Sequence, residues 1–283
     1  MHPDRPLADL SIAVIGAGIG GLATALTLRR LGARVTVLEQ APAITEVGAG
    51  LQISPNGMVV LDALGLAPAL DSAPRARAMS LRDFRTGKEV LRLDLAARAR
   101  DHRFVHRADL VDVLAGAARA AGVQVKLLQK VADVVPGPRP RVALVHGDTF
   151  EADLVIGADG LHSVVRGALG AAPAATFTGH VAWRAVVPNV TAHPAEARVH
   201  MGPGGHVVSY PLRGGDVVNL VAVEERRTWT EESWSRTGNG DAMRGTFSHF
   251  GGDVARLMAE VDAPGLWGLF RHRVAPRWHA EGV

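Results

Sequence analysis

Residues 11–39 read SIAVIGAGIGGLATALTLRRLGARVTVLE, and this stretch decides the fold of the N-terminal part of the chain. A short apolar run, Ser11–Ile15, stops at glycine, as a buried parallel strand does. The segment from Gly21 to Leu31 has the apolar spacing of a helix, and Gly32 follows it as a typical helix stop. Ala33–Glu39 is a second β-branched run. Strand, helix and strand in close succession predict a right-handed βαβ crossover.

The turn between the first strand and the helix has glycine at positions 16, 18 and 21, which satisfies the dinucleotide-binding pattern G-x-G-x-x-G. Gly16 is expected to make the tight turn, Gly18 to let the backbone approach a pyrophosphate, and Gly21 to let helix and strand pack closely. The helix N-terminus offers N–H groups and a positive dipole end to the phosphates. Glu39, at the end of the second strand, is predicted to accept hydrogen bonds from ribose hydroxyls. This context predicts a dinucleotide site, but the pattern alone does not separate FAD from NAD.

In the rest of the chain, the pattern of predicted helices and strands changes near residue 173. Before it, an amphipathic helix is predicted over Asp109–Ala121, with Asp109 as its N-cap. Three short strands follow: Val123–Leu128, Arg141–His146 and Asp153–Ile156. After residue 173, helix–strand alternation gives way to β runs at Val181–Val187, Ala197–Met201, His206–Leu212 and Val217–Val223, and Gly240–Glu260 has the pattern of a helix.

These patterns predict an α/β fold with a Rossmann-like dinucleotide-binding domain and a second, mostly antiparallel β-sheet domain. We place the first domain at residues 1–172 and the second at 173–270. Residues 271–283 are expected to return towards the first domain. Residues from about 75 to 100 are expected to contribute to the second.

Composition narrows the class of protein. The chain has no cysteine, which excludes disulfides, thiolate metal sites, iron–sulfur ligation and cysteine nucleophiles. The net charge is only +3 and the arginines are scattered, so we expect no nucleic-acid partner. The N-terminal apolar run is broken by glycines, unlike a signal peptide, and no run approaches the roughly 18 residues of a membrane span. We expect a cytoplasmic protein with no membrane association and no metal.

Four separated motifs carry a family resemblance: EVGAGLQ at 46–52, HRADL at 106–110, GADGLHSVVR at 157–166 and YPLRGG at 210–215. In this order they resemble the single-component flavoprotein aromatic hydroxylases of the p-hydroxybenzoate hydroxylase superfamily, and salicylate and 3-hydroxybenzoate hydroxylases most of all. The resemblance runs along nearly the whole chain. It implies that the Rossmann-like domain is an FAD-binding domain rather than an NAD-binding one, that the second domain is the substrate domain, and that NAD(P)H is a co-substrate.

The resemblance also implies further flavin contacts. Asp159 would lie near the FAD pyrophosphate and accept hydrogen bonds from ribityl or ribose hydroxyls. Arg107 would reach the ribityl or phosphate region, where a guanidinium suits anionic oxygen. The loop with Gly48, Ala49 and Gln52 would pass close to the isoalloxazine ring, because its glycines permit a close approach. The alternatives are a simple strand-end turn at Asp159 and an exposed Arg107 beside a helix.

The activity implied by the resemblance is monooxygenation. Reduced flavin reacts with O₂ to give a C4a-hydroperoxide, which hydroxylates a small hydroxylated aromatic acid. His206 is the candidate base for the substrate hydroxyl, since relatives place a histidine in the same G-P-x-x-H-x-x-x-Y-P-L stretch. On a strand, His206, Val208 and Tyr210 share one face, so Tyr210 is predicted to enter the same pocket. The alternatives are a solvated histidine and a packing tyrosine. Arg184 is a further candidate for a pocket or flavin contact.

Two other functions stay open. One is a different flavin oxidoreductase of this fold, such as an epoxidase or a natural-product ring hydroxylase. The other is a flavin-binding fragment without turnover, because the sequence stops at Val283, before a Gly-Asp-Ala-Ala-His motif that binds flavin in relatives. We expect the full protein to be longer, and a chain that truly ended there to retain FAD weakly. The oligomeric state is open, with a homodimer among the options.

Overall fold

The computed structural model describes residues 6–44, 49–96, 101–170, 174–228 and 237–283. Its strands, in chain order, are β1 (Ser11–Ile15), β2 (Arg34–Leu38), β3 (Gly50–Ile53), β4 (Ala78–Asp83), β5 (Glu89–Asp94), β6 (Arg103–His106), β7 (Gln124–Lys126), β8 (Val131–Val135), β9 (Arg141–Leu144), β10 (Thr149–Glu151), β11 (Leu154–Gly157), β12 (Thr176–Pro188), β13 (Glu196–Gly202), β14 (Gly205–Leu212), β15 (Val217–Glu225) and β16 (Gly265–Arg271). Its α-helices are α1 (Ile19–Arg30), α2 (Pro55–Ala63), α3 (Arg107–Ala120), α4 (Val164–Ala168), α5 (Gly240–Thr246) and α6 (Asp253–Ala259), and 3-10 turns lie at Ala67–Leu70 and Arg213–Gly215.

The chain forms two compact units. Unit 1 comprises Met1–Glu46, Leu110–Ala175 and His272–Val283, and unit 2 comprises Val47–Asp109 and Thr176–Arg271. The predicted first domain, 1–172, therefore differs from unit 1, because residues 47–109 belong to unit 2. The physical reason is strand pairing, since β4 and β5 extend the sheet of unit 2. The segment at about 75–100, expected in the second domain, lies within this insertion.

Unit 1 is built on a parallel sheet with strand order β11-β1-β2-β7. β1 has the predicted bounds, and its last four residues are buried, as expected for a strand covered on both faces. Val14 is paired with Val37 on one side and with Ile156 on the other. The following helix begins at Ile19, two residues before the predicted start. A second, antiparallel sheet of order β10-β9-β8 shares a core with β1 and α4 through Val142, Val165 and their neighbours.

Unit 2 is built on a sheet of order β16-β12-β15-β14-β13-β4-β5, antiparallel except where β13 meets β4. Alternate residues point to opposite faces. On one face, Val207 and Leu220 join the core formed with α5 and α6. On the other, Tyr210 and Leu212 pack with Phe104 of β6. The second face, called the Tyr210 face below, carries the candidate catalytic residues.

Two local details of the structure go beyond or differ from the prediction. The segment Gly240–Glu260, predicted to be helical, forms two helices with a break between them, because the chain turns at Gly251 and Gly252. Gly251 donates a backbone hydrogen bond to Phe84 O at 2.9 Å, and a Cβ on Gly251 would lie 2.2 Å from Arg85 O, so the turn packs tightly on another loop. Asp109 is not an N-cap, since α3 begins two residues earlier and Asp109 lies in its first turn.

The predicted fold class is confirmed: a parallel, Rossmann-like sheet occurs in one unit and a mostly antiparallel sheet in the other. Within the described ranges, every helix is too short or too polar to cross a membrane. The same ranges contain no group of three or more histidine or acidic side chains placed to hold a metal ion.

Candidate functional site

The glycine turn of unit 1 has the geometry of a nucleotide-binding fingerprint. Gly16 has φ +101°, and a Cβ there would lie 2.6 Å from Ala158 O. A Cβ on Gly21 would lie 1.9 Å from Gly16 O, so the helix approaches the turn more closely than a side chain allows. The Cβ position of Gly18 faces open space. Gly16 and Gly21 therefore serve packing, whereas Gly18 leaves room beside the helix.

The N-terminus of α1 is open to an anion. Gly18 is the N-cap, no side chain caps the helix, and no acidic residue lies in its first turn. The first N–H groups of a helix lack intrahelical partners and carry a partial positive charge. A pyrophosphate fits this arrangement, because it supplies acceptor oxygens and negative charge where the loop leaves space.

Glu39 ties the glycine turn to the second strand. Its Oε2 accepts a hydrogen bond from Ala17 N–H at 2.7 Å, and its Oε1 accepts one from Ala41 N–H at 2.8 Å. The carboxylate therefore holds the glycine turn in place. Each carboxylate oxygen has a second lone pair, so the prediction that Glu39 accepts hydrogen bonds from ribose hydroxyls is compatible with this role.

Asp159 has a structural role in the described chain. Its Oδ2 accepts hydrogen bonds from the backbone N–H groups of Val164 and Val165, at 2.7 and 3.2 Å. These bonds hold the loop to the start of α4, where Ser163 caps the helix by accepting from Arg166 N–H at 3.0 Å. The predicted contact of Asp159 with a ribityl or ribose hydroxyl stays a prediction, and Oδ1 is the atom left for it.

In unit 2, the structure brings Ala49, Gln52 and Arg107 together. β3 and β6 pair antiparallel, and Arg107 N–H donates to Ala49 O at 2.9 Å. Gln52 Oε1 lies 3.1 Å from the ring nitrogen Nε2 of His102. Gly48 lies outside the described residues. Ala49, just before β3, and Arg107, at the start of α3, are thus neighbours beside the paired strands β3 and β6, and Gln52 lies further along β3.

His206 and Tyr210 share a face of the sheet, as their spacing predicts. His206 is half-buried on β14, opposite Met201 of β13 and Val223 of β15. Burial lowers its pKa, and the neighbouring His180 lowers it further. The imidazole is therefore largely neutral near pH 7 and able to accept a proton. Three residues of strand lie between His206 and Tyr210, and their Cα atoms are about 13 Å apart along the strand.

Tyr210 is buried and held by an aromatic stack. Only 4% of the residue is exposed, and its ring lies on that of Phe104 with centroids 5.0 Å apart and an interplanar angle of 30°. Burial raises the pKa of Tyr210 to about 12, although the charge of Arg184 opposes the shift. The hydroxyl therefore stays protonated at neutral pH, where it can donate a hydrogen bond but does not act as a base.

Arg184 contributes positive charge to the same face. It lies on β12 with its guanidinium 5.0 Å from the ring centroid of Trp267. Burial lowers the pKa of Arg184, and the charge of Arg107 lowers it further. Its Nε is shielded from solvent and forms no hydrogen bond within the described ranges. A shielded cation is costly unless it is paired, and the described residues offer its Nε no acceptor, so this position suits an anionic ligand.

Asn219, also on the Tyr210 face, was not singled out from the sequence. It lies on β15 opposite Tyr210 and is fully buried, and its Oδ1 accepts from Gly50 N–H at 2.6 Å. The available signal was a lone amide inside the apolar run VVNLVAV at 217–223. Phe104 was also missed, because an apolar residue on a short strand gives no sign of which ring it stacks on.

Comparison with known proteins gives consistent results. A family described as FAD binding domain matches residues 9–245. A 3-amino-4-hydroxybenzoate 2-monooxygenase of Streptomyces cremeus is 35% identical, over 95% of this chain and 69% of the relative. A 3-hydroxybenzoate 6-hydroxylase of Polaromonas naphthalenivorans is 36% identical, over 93% of this chain and 68% of the relative. The chain thus spans roughly two thirds of the length of these relatives.

A solved structure shows the same fold. A salicylate hydroxylase substrate complex superposes with a TM-score of 0.81 at 23% identity, covering 97% of this chain and 72% of that one. The fingerprint of unit 1, the fold of both units and the matched relatives agree. The chain belongs to the FAD-dependent aromatic hydroxylases of the p-hydroxybenzoate hydroxylase superfamily and carries their FAD-binding domain.

Proposed function

We propose that this protein is a monooxygenase that uses NAD(P)H and O₂ to hydroxylate a small hydroxylated aromatic acid. Bound FAD supplies electron transfer and oxygen activation, and the protein binds, orients and shields the reactants. In unit 1, the open space at Gly18 and the uncapped start of α1 support pyrophosphate binding. In unit 2, the strand starting at Gly50 and the adjacent Arg107 are the residues proposed to hold the flavin.

One observation carries the substrate class: the shielded guanidinium of Arg184 on the Tyr210 face. Its Nε has no hydrogen-bond partner in the described residues, and its positive charge acts to lower the pKa of Tyr210. A carboxylate would complete this position with a charge-assisted hydrogen bond. An aromatic acid supplies that carboxylate, and its ring can lie on the apolar surface that includes Val208.

The proton chemistry is assigned to His206. A ring hydroxyl activates an aromatic carbon best when it loses its proton, and a neutral imidazole can accept that proton. Burial and His180 both keep His206 neutral by lowering its pKa. Tyr210 stays protonated, because burial raises its pKa. It is therefore assigned as a hydrogen-bond donor to the substrate.

The test is oxidation of NADH and NADPH with matched ligands, followed by product analysis. We expect 3-hydroxybenzoate or salicylate to stimulate oxidation and to yield a product with one added oxygen. The corresponding hydroxybenzyl alcohols, which lack the carboxylate, are expected to stimulate it far less. Equal stimulation by acids and alcohols would refute the role of Arg184 in substrate binding. A product without added oxygen would refute monooxygenation.

The Arg184→Met variant separates substrate binding from flavin binding. Met keeps a side chain of comparable length without the charge. We expect the Kd for the acid to rise by about tenfold to a hundredfold, as for loss of a charge-assisted hydrogen bond, while the Kd for FAD changes little. A raised FAD Kd with unchanged acid binding would show that Arg184 serves the flavin instead.

A further inference from the structure

Asn219 occupies a central position on the Tyr210 face. It is fully buried on β15, directly opposite Tyr210 of β14 and Val186 of β12. Its Oδ1 accepts a hydrogen bond from Gly50 N–H at 2.6 Å. Because a backbone N–H can only donate, this bond fixes the orientation of the carboxamide and identifies the other terminal atom as Nδ2.

The bond holds β3 against the sheet. A Cβ on Gly50 would lie 2.8 Å from Asn219 Cγ and 2.8 Å from Tyr210 Cε2, so the backbone at Gly50 contacts both side chains directly. The preceding residue, Ala49, accepts the backbone hydrogen bond of Arg107. Asn219 therefore sets where this strand and the start of α3 lie relative to Tyr210.

The second half of the carboxamide is unsatisfied. Asn219 Nδ2 is shielded from solvent and has no hydrogen-bond partner among the described residues. A buried amide donor without an acceptor is unfavourable, and native proteins satisfy nearly all such groups through protein, water or ligand. Arg184 Nε, on the same face, is unsatisfied in the same way. Two shielded donors on one face indicate a bound molecule that supplies acceptors.

We propose that Asn219 is a ligand-binding and positioning residue of this site. Its Oδ1 anchors Gly50, and its Nδ2–H donates to an acceptor oxygen of the bound molecule. That oxygen belongs to the aromatic substrate or to the flavin ring. This proposal rests on the proposed function, because it takes the Tyr210 face as the place where those molecules bind.

Three variants test it. Asn219→Asp at pH 8 retains an acceptor for Gly50 N–H but loses the Nδ2 donor. Asn219→Leu loses both. Ser209→Ala is the matched control, since Ser209 lies on the neighbouring strand, is equally buried, points to the opposite face and forms one side-chain hydrogen bond, to His193. The readouts are FAD Kd by flavin fluorescence, substrate Kd by flavin absorbance, and hydrogen exchange of Gly50 N–H without ligand.

We expect Asn219→Asp to raise one Kd by about tenfold, the effect of one lost hydrogen bond, while Gly50 N–H stays protected. A raised FAD Kd places the acceptor on the flavin, and a raised substrate Kd alone places it on the substrate. We expect Asn219→Leu to speed Gly50 exchange by about tenfold as well. If Asn219→Asp binds both ligands as Ser209→Ala does, or if Asn219→Leu leaves Gly50 exchange unchanged, the proposal is overturned. Gly50 exchange needs no ligand, so this result is distinguishable from failure of the proposed function.

Discussion

Arg213 and Asp109 form a two-point ion pair, with Nη2 2.9 Å from Oδ1 and Nε 3.3 Å from Oδ2. The pair joins the turn after β14 to the first turn of α3, beside Arg107. Both side chains are about half exposed, and exposed pairs contribute only about 0.2–1 kcal/mol and weaken with salt. Arg213 also has φ +49°, a conformation that costs a non-glycine residue about 1–2 kcal/mol.

We therefore expect Arg213→Gly to be more stable than Arg213→Ala by about 1 kcal/mol, because glycine relieves the backbone strain while both variants lose the ion pair. Urea denaturation of the two variants at low and high salt measures the difference. Asp109→Asn serves as the control, since it removes the pair and keeps the strain. Equal stabilities of the Gly and Ala variants would contradict this account of Arg213.

The glycines of the fingerprint should respond differently to the same added methyl group. Gly21→Ala places a Cβ against Gly16 O, and we expect a loss of about 3 kcal/mol or more in the free energy of unfolding. Gly20→Ala and Gly18→Ala meet no atom within 4 Å, so neither should destabilise the chain. Gly18→Ala should nonetheless raise the Kd for FAD, because its methyl group would occupy the space assigned to the pyrophosphate. Thermal melting and FAD titration of all three variants make the comparison, and unchanged FAD binding by Gly18→Ala would argue against that assignment.

Two buried histidines should make the stability depend on pH. Burial lowers the pKa of His193 to about 4 and that of His200 to about 4. An unfolded histidine titrates near 6.5, so the unfolded chain binds more protons than the native one between pH 6.5 and 4. The contribution of these two histidines to the stability is thus fully present above pH 6.5, and it is lost as the pH falls towards 4.

Between pH 7 and pH 5 we expect a loss of about 2 kcal/mol for each histidine. His200→Leu should reduce the loss of stability between pH 7 and pH 5 by about 2 kcal/mol, since it removes one of these two groups. Urea unfolding at pH 5, 6 and 7 gives the slopes. His279→Leu is a suitable control because His279 is exposed. A wild-type slope no steeper than that of His200→Leu would show that His200 does not titrate in this way.

The single tyrosine of the chain permits a direct measurement of its environment. Burial raises the pKa of Tyr210 to about 12. Absorbance at 295 nm should therefore show no ionisation near pH 10 in the native protein, and ionisation near pH 10 in urea. Because the pKa of Tyr210 is higher in the native state than in the unfolded state, its contribution to stability is fully present below pH 10. That contribution is lost as the pH rises towards 12. Tyr210→Phe should remove the absorbance change and this contribution of Tyr210 to the pH dependence of stability. The stack on Phe104 should stay intact.

The sequence pattern predicted the first strand with its bounds. Ser11–Ile15 is apolar and ends at a glycine turn, and the structure has the same bounds. The four β runs of the second domain were also predicted, although β12 and β13 are only partly buried. β5 was missed because all six of its residues are exposed, so its side chains show no alternation between core and solvent.

Long-range contacts explain the remaining differences. The break between α5 and α6 depends on the approach of Gly251 to Arg85 O, which no local pattern encodes. Asp159 and Glu39 were singled out from the sequence as flavin contacts, but their hydrogen bonds to backbone N–H groups depend on how the loops around them close. Asn219 illustrates the same limit, because its partner Gly50 lies 169 positions away in the sequence.

The strand order of unit 1 has a consequence for how the chain is made. β1 and β2 are adjacent in sequence, but the second neighbour of β1 is β11, and the neighbour of β2 is β7. At ordinary rates of translation, on the order of ten seconds pass between synthesis of β2 and synthesis of β11. During that interval one edge of the apolar strand β1 has no partner, while residues 47–109, which are synthesised in between, belong to the other unit. Until β11 emerges, the nascent chain therefore exposes an unpaired apolar strand edge that chaperones and other chains can bind.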